Sequence, residues 1–112
     1  MIKLFDLKKQ FKLFDSRVNK KVLEVLSSGN YILGKNVSSF ESDAKNYLGS
    51  NYTLSCNSGT DALVLSLRAL DIGKNDEVIT SPFTYFATAE AISLVGAKPI
   101  FSDINPDTFN IH

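Results

Sequence analysis

From residue 51 onward, short apolar runs of strand length alternate with segments of helix length, and this alternation restricts the possible folds more than any other feature. Residues 52–55, 77–80 and 99–103 read as strands, and 61–70 and 85–95 as the helices between them. A strand–helix–strand succession brings each strand back in the same direction, so the expected architecture is α/β with a parallel sheet. Ala62, Leu63, Val64, Leu65, Leu67, Ala69 and Leu70 make the first of these helices apolar on several sides. That predicts deep packing between the sheet and a further layer. The polar stretch 71–76 with Gly73, the pair Gly96 and Pro99, and Asn105-Pro106-Asp107 supply the intervening turns.

The preceding residues follow a different period. After a lead-in expected to be irregular, Asp15 or Ser16 can cap a helix whose face is Val18, Val22, Val25 and Leu26, with Gly29 as its end. Val37, Phe40, Ala44, Tyr47 and Leu48 mark a second helix that Gly49 stops. The expected division is therefore a helical segment, 1–50, followed by a partial α/β domain, 51–112. Three parallel strands make only part of a sheet, and after Ile111-His112 no helix remains to cover them. The domain reads as unfinished.

Composition narrows the classes of function. The chain has 112 residues, 44% of them hydrophobic, enough material for one core. Twelve basic side chains balance 12 acidic ones, so no net field favours nucleic acid or an anionic membrane. No run approaches the roughly 18 to 20 apolar residues that span a bilayer. Lys3, Lys8, Lys9 and Lys12 interrupt the start, which excludes the continuous apolar centre of a signal peptide. Cys56, the lone cysteine, cannot form an intrachain disulfide and is expected to be a small buried hydrophobe. With one His and one Cys no closed metal site is expected, and a cytoplasmic location is.

Three segments could carry chemistry. Cys56-Asn57-Ser58-Gly59-Thr60-Asp61 lies between an expected strand and a helix, where open parallel sheets bind ligands. Gly59 lets backbone amides approach an anion, and Ser58 and Thr60 add hydroxyls at a helix N-terminus, which together make a phosphate cradle. The plainer reading is a helix cap and a turn. The segment is neither GxxxxGK[ST] nor GxGxxG. Asp61 suits the helix dipole but would repel a phosphate, so its carboxylate should bond a neighbour and point away. In 80–88, Phe83, Tyr85 and Phe86 are each candidates to stack on a flat heterocycle, and each could equally be core. Adjacent parallel strands would bring this loop and the cradle into one crevice. Asp103 could be polar site material or a turn cap, and His112 is expected to fray.

Taken together, these segments resemble the DegT and DnrJ family of nucleotide-sugar aminotransferases, which are fold-type-I pyridoxal-phosphate enzymes. The strings that carry the resemblance begin with Tyr31-Ile32-Leu33-Gly34 and Ser58-Gly59-Thr60-Asp61-Ala62-Leu63. They continue through Arg68-Ala69-Leu70-Asp71-Ile72-Gly73, Asp76-Glu77-Val78-Ile79, Thr84-Tyr85-Phe86-Ala87-Thr88, Gly96-Ala97-Lys98-Pro99 and Asp103-Ile104. The resemblance implies pyridoxal 5'-phosphate as cofactor, its phosphate met by Ser58, Gly59 and Thr60 and its ring stacked on Tyr85. It implies a nucleotide-linked keto sugar as substrate, an amino donor such as glutamate, and a homodimer.

In the family, the aspartate at the pyridine nitrogen and the Schiff-base lysine come later in the chain. Lys74 and Lys98 are expected in turns and match no catalytic lysine, so no catalytic residue is assigned. A sugar dehydratase relative, with histidine in place of that lysine, shares everything seen here. A binding module that kept the half-site, and a structural domain whose cradle is only a helix cap, are the further alternatives.

Overall fold

The computed structural model describes residues 4–112; Lys3, part of the argument against a signal peptide, lies outside them. The chain divides into two compact units, Met1–Leu54 and Ser55–His112.

The first unit holds helix α1, Leu7–Ser28, and helix α2, Lys35–Leu48. α1 starts well before the expected cap. Asp6 caps it by accepting from the Lys9 N–H at 3.1 Å. Leu7, Phe11, Phe14 and Val18 extend the apolar stripe of the predicted helix backwards at three- and four-residue steps, through a stretch of strong helix formers. Asp15 sits inside the helix and accepts only from the adjacent Ser16 N–H. Both helix ends fall where expected, at Gly29 (φ 70°) and Gly49 (φ 64°), which adopt the left-handed conformation open to glycine.

In the second unit, helix α3, Gly59–Ala69, is followed by strand β1, Glu77–Thr80, helix α4, Ala87–Leu94, and strand β2, Lys98–Phe101. β1 and β2 pair in parallel, with Glu77 opposite Lys98 and Thr80 opposite Phe101, as the alternation requires. The turn between α3 and β1 is pinned at both ends: the Gly73 N–H donates to Asp76 Oδ2 at 2.8 Å, and the Asp76 N–H to the Gly73 carbonyl at 3.1 Å. Gly96, at φ 88°, turns the chain from α4 into β2. α4 packs on both strands and on α3, and the buried core consists of its Ala87, Ala91 and Ile92 together with Ala97.

Three expectations need correction. Residues 52–55 form no strand, because a strand exists only through a ladder partner and none pairs with them among the described residues. α3 is not deeply packed: it has no buried residue, and Leu63 and Leu65 remain 42% and 47% exposed. Its one helical neighbour, α4, covers a single side of a helix that is apolar on several. Cys56 is exposed rather than buried, since the unpaired 52–55 segment gives it no sheet to lie against; its thiol donates to the Ser58 carbonyl at 3.3 Å.

Candidate functional site

The 58–61 segment is built by the start of α3. Ser58, extended at φ −155° and ψ 167°, is the N-cap, and its Oγ accepts from the Asp61 N–H at 3.1 Å. The same hydroxyl donates to Asp61 Oδ2 at 2.8 Å. Ser58 and Asp61 therefore satisfy each other, much as in a capping box. This meets the expectation that Asp61 bonds a neighbour. It also commits the only proton of the Ser58 hydroxyl, so in this arrangement that hydroxyl shapes the helix end and has no proton left for an anion.

Further donors come from the next two residues. The first intrahelical bond of α3 runs from the Ala62 N–H to the Ser58 carbonyl, and the cap takes the Asp61 N–H, which leaves the Gly59 and Thr60 N–H groups ahead of both. Around Gly59 the space is open: a Cβ built there meets nothing within 4 Å. Thr60 is half-buried, with its hydroxyl on the first turn of the helix. Two backbone donors, an adjacent hydroxyl and the positive end of an 11-residue helix suit a phosphate.

The 81–86 loop leaves the C-terminal end of β1. Within it the Phe83 N–H donates to Ser81 Oγ at 2.9 Å, and the Thr84 and Thr88 hydroxyls bond each other at 3.0 Å. The three aromatics separate clearly. Phe83 stacks on Phe109 with ring centroids 5.5 Å apart and planes at 23°. Phe86 is the N-cap residue of α4 and borders a shallow groove along that helix. Tyr85 is 82% exposed and outside the helix, its carbonyl accepting from the Thr88 N–H at 3.0 Å. Phe83 has an aromatic partner, whereas Tyr85 and Phe86, 82% and 74% exposed, have none among the described residues.

The loops do not leave neighbouring strands as expected, because 52–55 is unpaired; they share a unit through the packing of α3 on α4. Asp103 behaves as a turn cap, its Oδ1 accepting from the Ile104 N–H at 2.8 Å. The His112 N–H donates to the Asp103 carbonyl at 3.0 Å. Lys98 opens β2 rather than sitting in a turn and pairs with Glu77 at 2.9 Å. No group of three potential metal ligands occurs among the described residues. No described helix is long and apolar enough to cross a membrane. The first unit contains a cleft of about 470 Å³ bordered by Lys21, Glu24, Tyr31 and Lys35, which no sequence pattern had marked.

Comparison with known proteins places this geometry. Residues 13–112 match the model of the DegT/DnrJ/EryC1/StrS aminotransferase family. The chain belongs to this family. One relative, the UDP-2-acetamido-2-deoxy-3-oxo-D-glucuronate aminotransferase of Pseudomonas aeruginosa, is 44% identical over 111 residues, covering 99% of this chain and 31% of the relative. A DegT DnrJ EryC1 StrS aminotransferase from Brucella abortus superposes with a TM-score of 0.94 at 38% identity, over all of this chain and 30% of that one. The ntda protein of Bacillus subtilis, solved with bound cofactor PMP, aligns with a TM-score of 0.82 at 37% identity over 85% of this chain and 22% of its own. The chain thus spans about 31% of the length of the Pseudomonas relative. Within the DegT/DnrJ family it represents an N-terminal portion of the fold-type-I α/β architecture.

Proposed function

We propose that this chain is an N-terminal portion of a pyridoxal 5'-phosphate-dependent aminotransferase that aminates nucleotide-linked keto sugars, working in the cytoplasm as a homodimer with an amino donor such as glutamate. The observation that carries this reading is the open N-terminus of α3 at Gly59 and Thr60, in a chain of an aminotransferase family. A relative that acts on a UDP-linked 3-oxo sugar and a structural neighbour that holds PMP supply the substrate and cofactor classes.

The residues present fit the phosphate end of such a cofactor. Gly59 and Thr60 would bind the phosphate through their N–H groups and the Thr60 hydroxyl, while Ser58 and Asp61 fix the helix end that aims them. Tyr85 would lie against the ring face and exclude water from it. When bound, the cofactor supplies the electron sink for amino exchange. Among these 112 residues the contribution is binding and orientation, since neither Lys74 nor Lys98 matches the lysine that moves the proton in the family. We assign the boundary between helical and cofactor-binding parts to residues 50 and 51.

Fluorescence titration with pyridoxamine 5'-phosphate tests this reading. Thr60→Val keeps the shape and removes a donor to a charged group, so binding should weaken by about 1.5 to 3 kcal/mol. Tyr85→Phe should change little, whereas Tyr85→Ala should lose about 0.5 to 1.5 kcal/mol of stacking. Equal binding by Tyr85→Ala and Tyr85→Phe, in folded protein, would return Tyr85 to plain surface. A parent chain with no affinity for the probe would remove the cofactor assignment.

A further inference from the structure

The segment after β2 does something that the cradle does not require. Thr80 is opposite Phe101, and the Ser102 N–H continues the ladder by donating to the Thr80 carbonyl at 2.9 Å. Parallel strands in this register send both departing chains out of the same end of the sheet. Residues 81–86 and 103–112 therefore emerge side by side. The second of them folds back on itself, closed by an antiparallel bridge between Ile104 and Ile111. Inside the closure Asn105 Oδ1 accepts from the Asp107 and Thr108 N–H groups at 2.9 and 3.2 Å, and the Phe109 N–H donates to the Asn105 carbonyl at 2.8 Å. These bonds hold Phe109 at φ 59°, a left-handed backbone that a bulky residue keeps only where its surroundings over-determine it. The product of that backbone is a ring stacked on Phe83 at 5.5 Å.

We propose that Phe109 is a positioning residue for the ring-presenting loop: by stacking on Phe83 it fixes residues 81–86 and so sets where the Tyr85 ring stands. The hydrogen bonds described for that loop are local, confined to 81–90. β1 and α4 hold the loop at its two ends, and the Phe83–Phe109 stack adds a contact from elsewhere in the chain at its middle. Tyr85 is 82% exposed and stands between the stacked ring and the start of α4, to which its carbonyl is bonded through the Thr88 N–H, so its placement is set through the backbone from both sides. The role toward a cofactor rests on the reading of Tyr85 given above; the role toward the loop does not.

The experiment uses the 112-residue chain and begins with two substitutions at Phe109. Phe109→Gly removes the ring but accepts the left-handed backbone, so the 103–112 closure survives; Phe109→Tyr keeps the ring. Two readouts are taken, the NMR ring-current shift of the Phe83 ring protons with hydrogen exchange at the Phe83 and Thr88 amides, and the dissociation constant for pyridoxamine 5'-phosphate. In Phe109→Gly the ring-current shift should vanish, both amides should exchange roughly two- to tenfold faster, and binding should weaken by a similar factor. Phe109→Tyr should restore all three. Adding Tyr85→Ala to Phe109→Gly should cost less than it does in the parent, because the ring has already lost its fixed place. Unchanged amide exchange in Phe109→Gly overturns the proposal, whatever the titration shows. Faster exchange in a chain whose parent binds no probe supports the buttress and overturns the cofactor reading instead. Phe83→Leu should reproduce the loosening from the other side of the stack, and its failure to do so would also count against the proposal.

Discussion

Ile92 in α4 and Phe40 in α2 are both apolar residues placed on a helical stripe, yet Ile92 is 3% exposed and Phe40 is 61% exposed. The contrast extends to their units. α4 has β1, β2 and α3 to pack against and buries three residues, while α1 and α2 bury none among the described residues. Periodicity fixes which face of a helix is apolar, but it says nothing about whether a partner surface exists to cover it. A helix backed by a parallel sheet is held by long-range burial; α1 is held by its Asp6 cap, and both α1 and α2 by their glycine stops and near-neighbour side chains. Helices of the second kind depend more on propensity and local bonds than helices in a packed core do.

The sharpest way to break this contrast is to truncate the two apolar residues. Ile92→Ala should cost about 2 to 5 kcal/mol, because α4 is wedged against both strands and the resulting cavity cannot collapse easily. Phe40→Ala should cost roughly less than 1 kcal/mol, since a side chain that exposed leaves no cavity behind. Urea denaturation followed by circular dichroism measures both. Similar losses at the two positions would mean that α2 is covered in solution by association. Light scattering would then show a dimer, the assembly proposed above.

Helix caps come next in size. Ser58→Ala removes both the acceptor for the Asp61 N–H and the donor to its carboxylate. It should destabilise the 55–112 unit by about 1 kcal/mol and lower its melting temperature. Asp6→Ala removes the acceptor for the Lys9 N–H, at the end of a helix with no buried residue. Its effect should be a loss of helical ellipticity in the baseline with no shift of the cooperative melt. A melt that moves equally in both variants would show that the two units unfold together.

The sequence made the sheet unit legible because its punctuation is local: turns at Gly73 and Gly96 and the apolar runs of β1 and β2 each announce themselves within a few residues. The start of α1 was harder to read. Asp15 and Ser16 look like a cap, whereas the actual cap, Asp6, is recognised only when the stripe is traced back through Val18, Phe14 and Phe11 to Leu7. Burial was the least legible quantity, since the exposure of α3 and Cys56 depends on whether 52–55 has a strand to pair with. At the site, residue types at 58–60 pointed to an anion, but which hydroxyl keeps a free proton is a matter of geometry. So is the separation of Phe83 from Tyr85 and Phe86, made by the partner that Phe83 finds in Phe109.

The smallest expected effect concerns the charges of the helical unit. Lys21 donates to Glu24 at 3.0 Å on α1, and this hydrogen bond, helped by the charges of Lys21, Lys20 and Lys35, holds the Glu24 carboxyl below its ordinary value. A carboxylate in the last third of a helix meets the negative end of the dipole, and the Lys-before-Glu order is the weaker one, so the pair offsets an unfavourable placement more than it adds stability. The folded-state pKa is depressed. Its stabilising contribution is therefore complete above the unfolded-state value and is lost as pH falls through the folded one. Both side chains are well exposed, at 65% and 47%, so solvent screens the effect heavily. Carbon-detected NMR titration of the Glu24 carboxyl should place its midpoint below those of free glutamates, and Lys21→Met should move it upward. Helicity of α1 should decline slightly over the same acidic interval, and Glu24→Gln should abolish that part of the decline. A Glu24 midpoint that stays put in Lys21→Met would mean that the crowd of lysines, not the Lys21 hydrogen bond, sets the charge. The local bond would then contribute nothing to holding the helical unit.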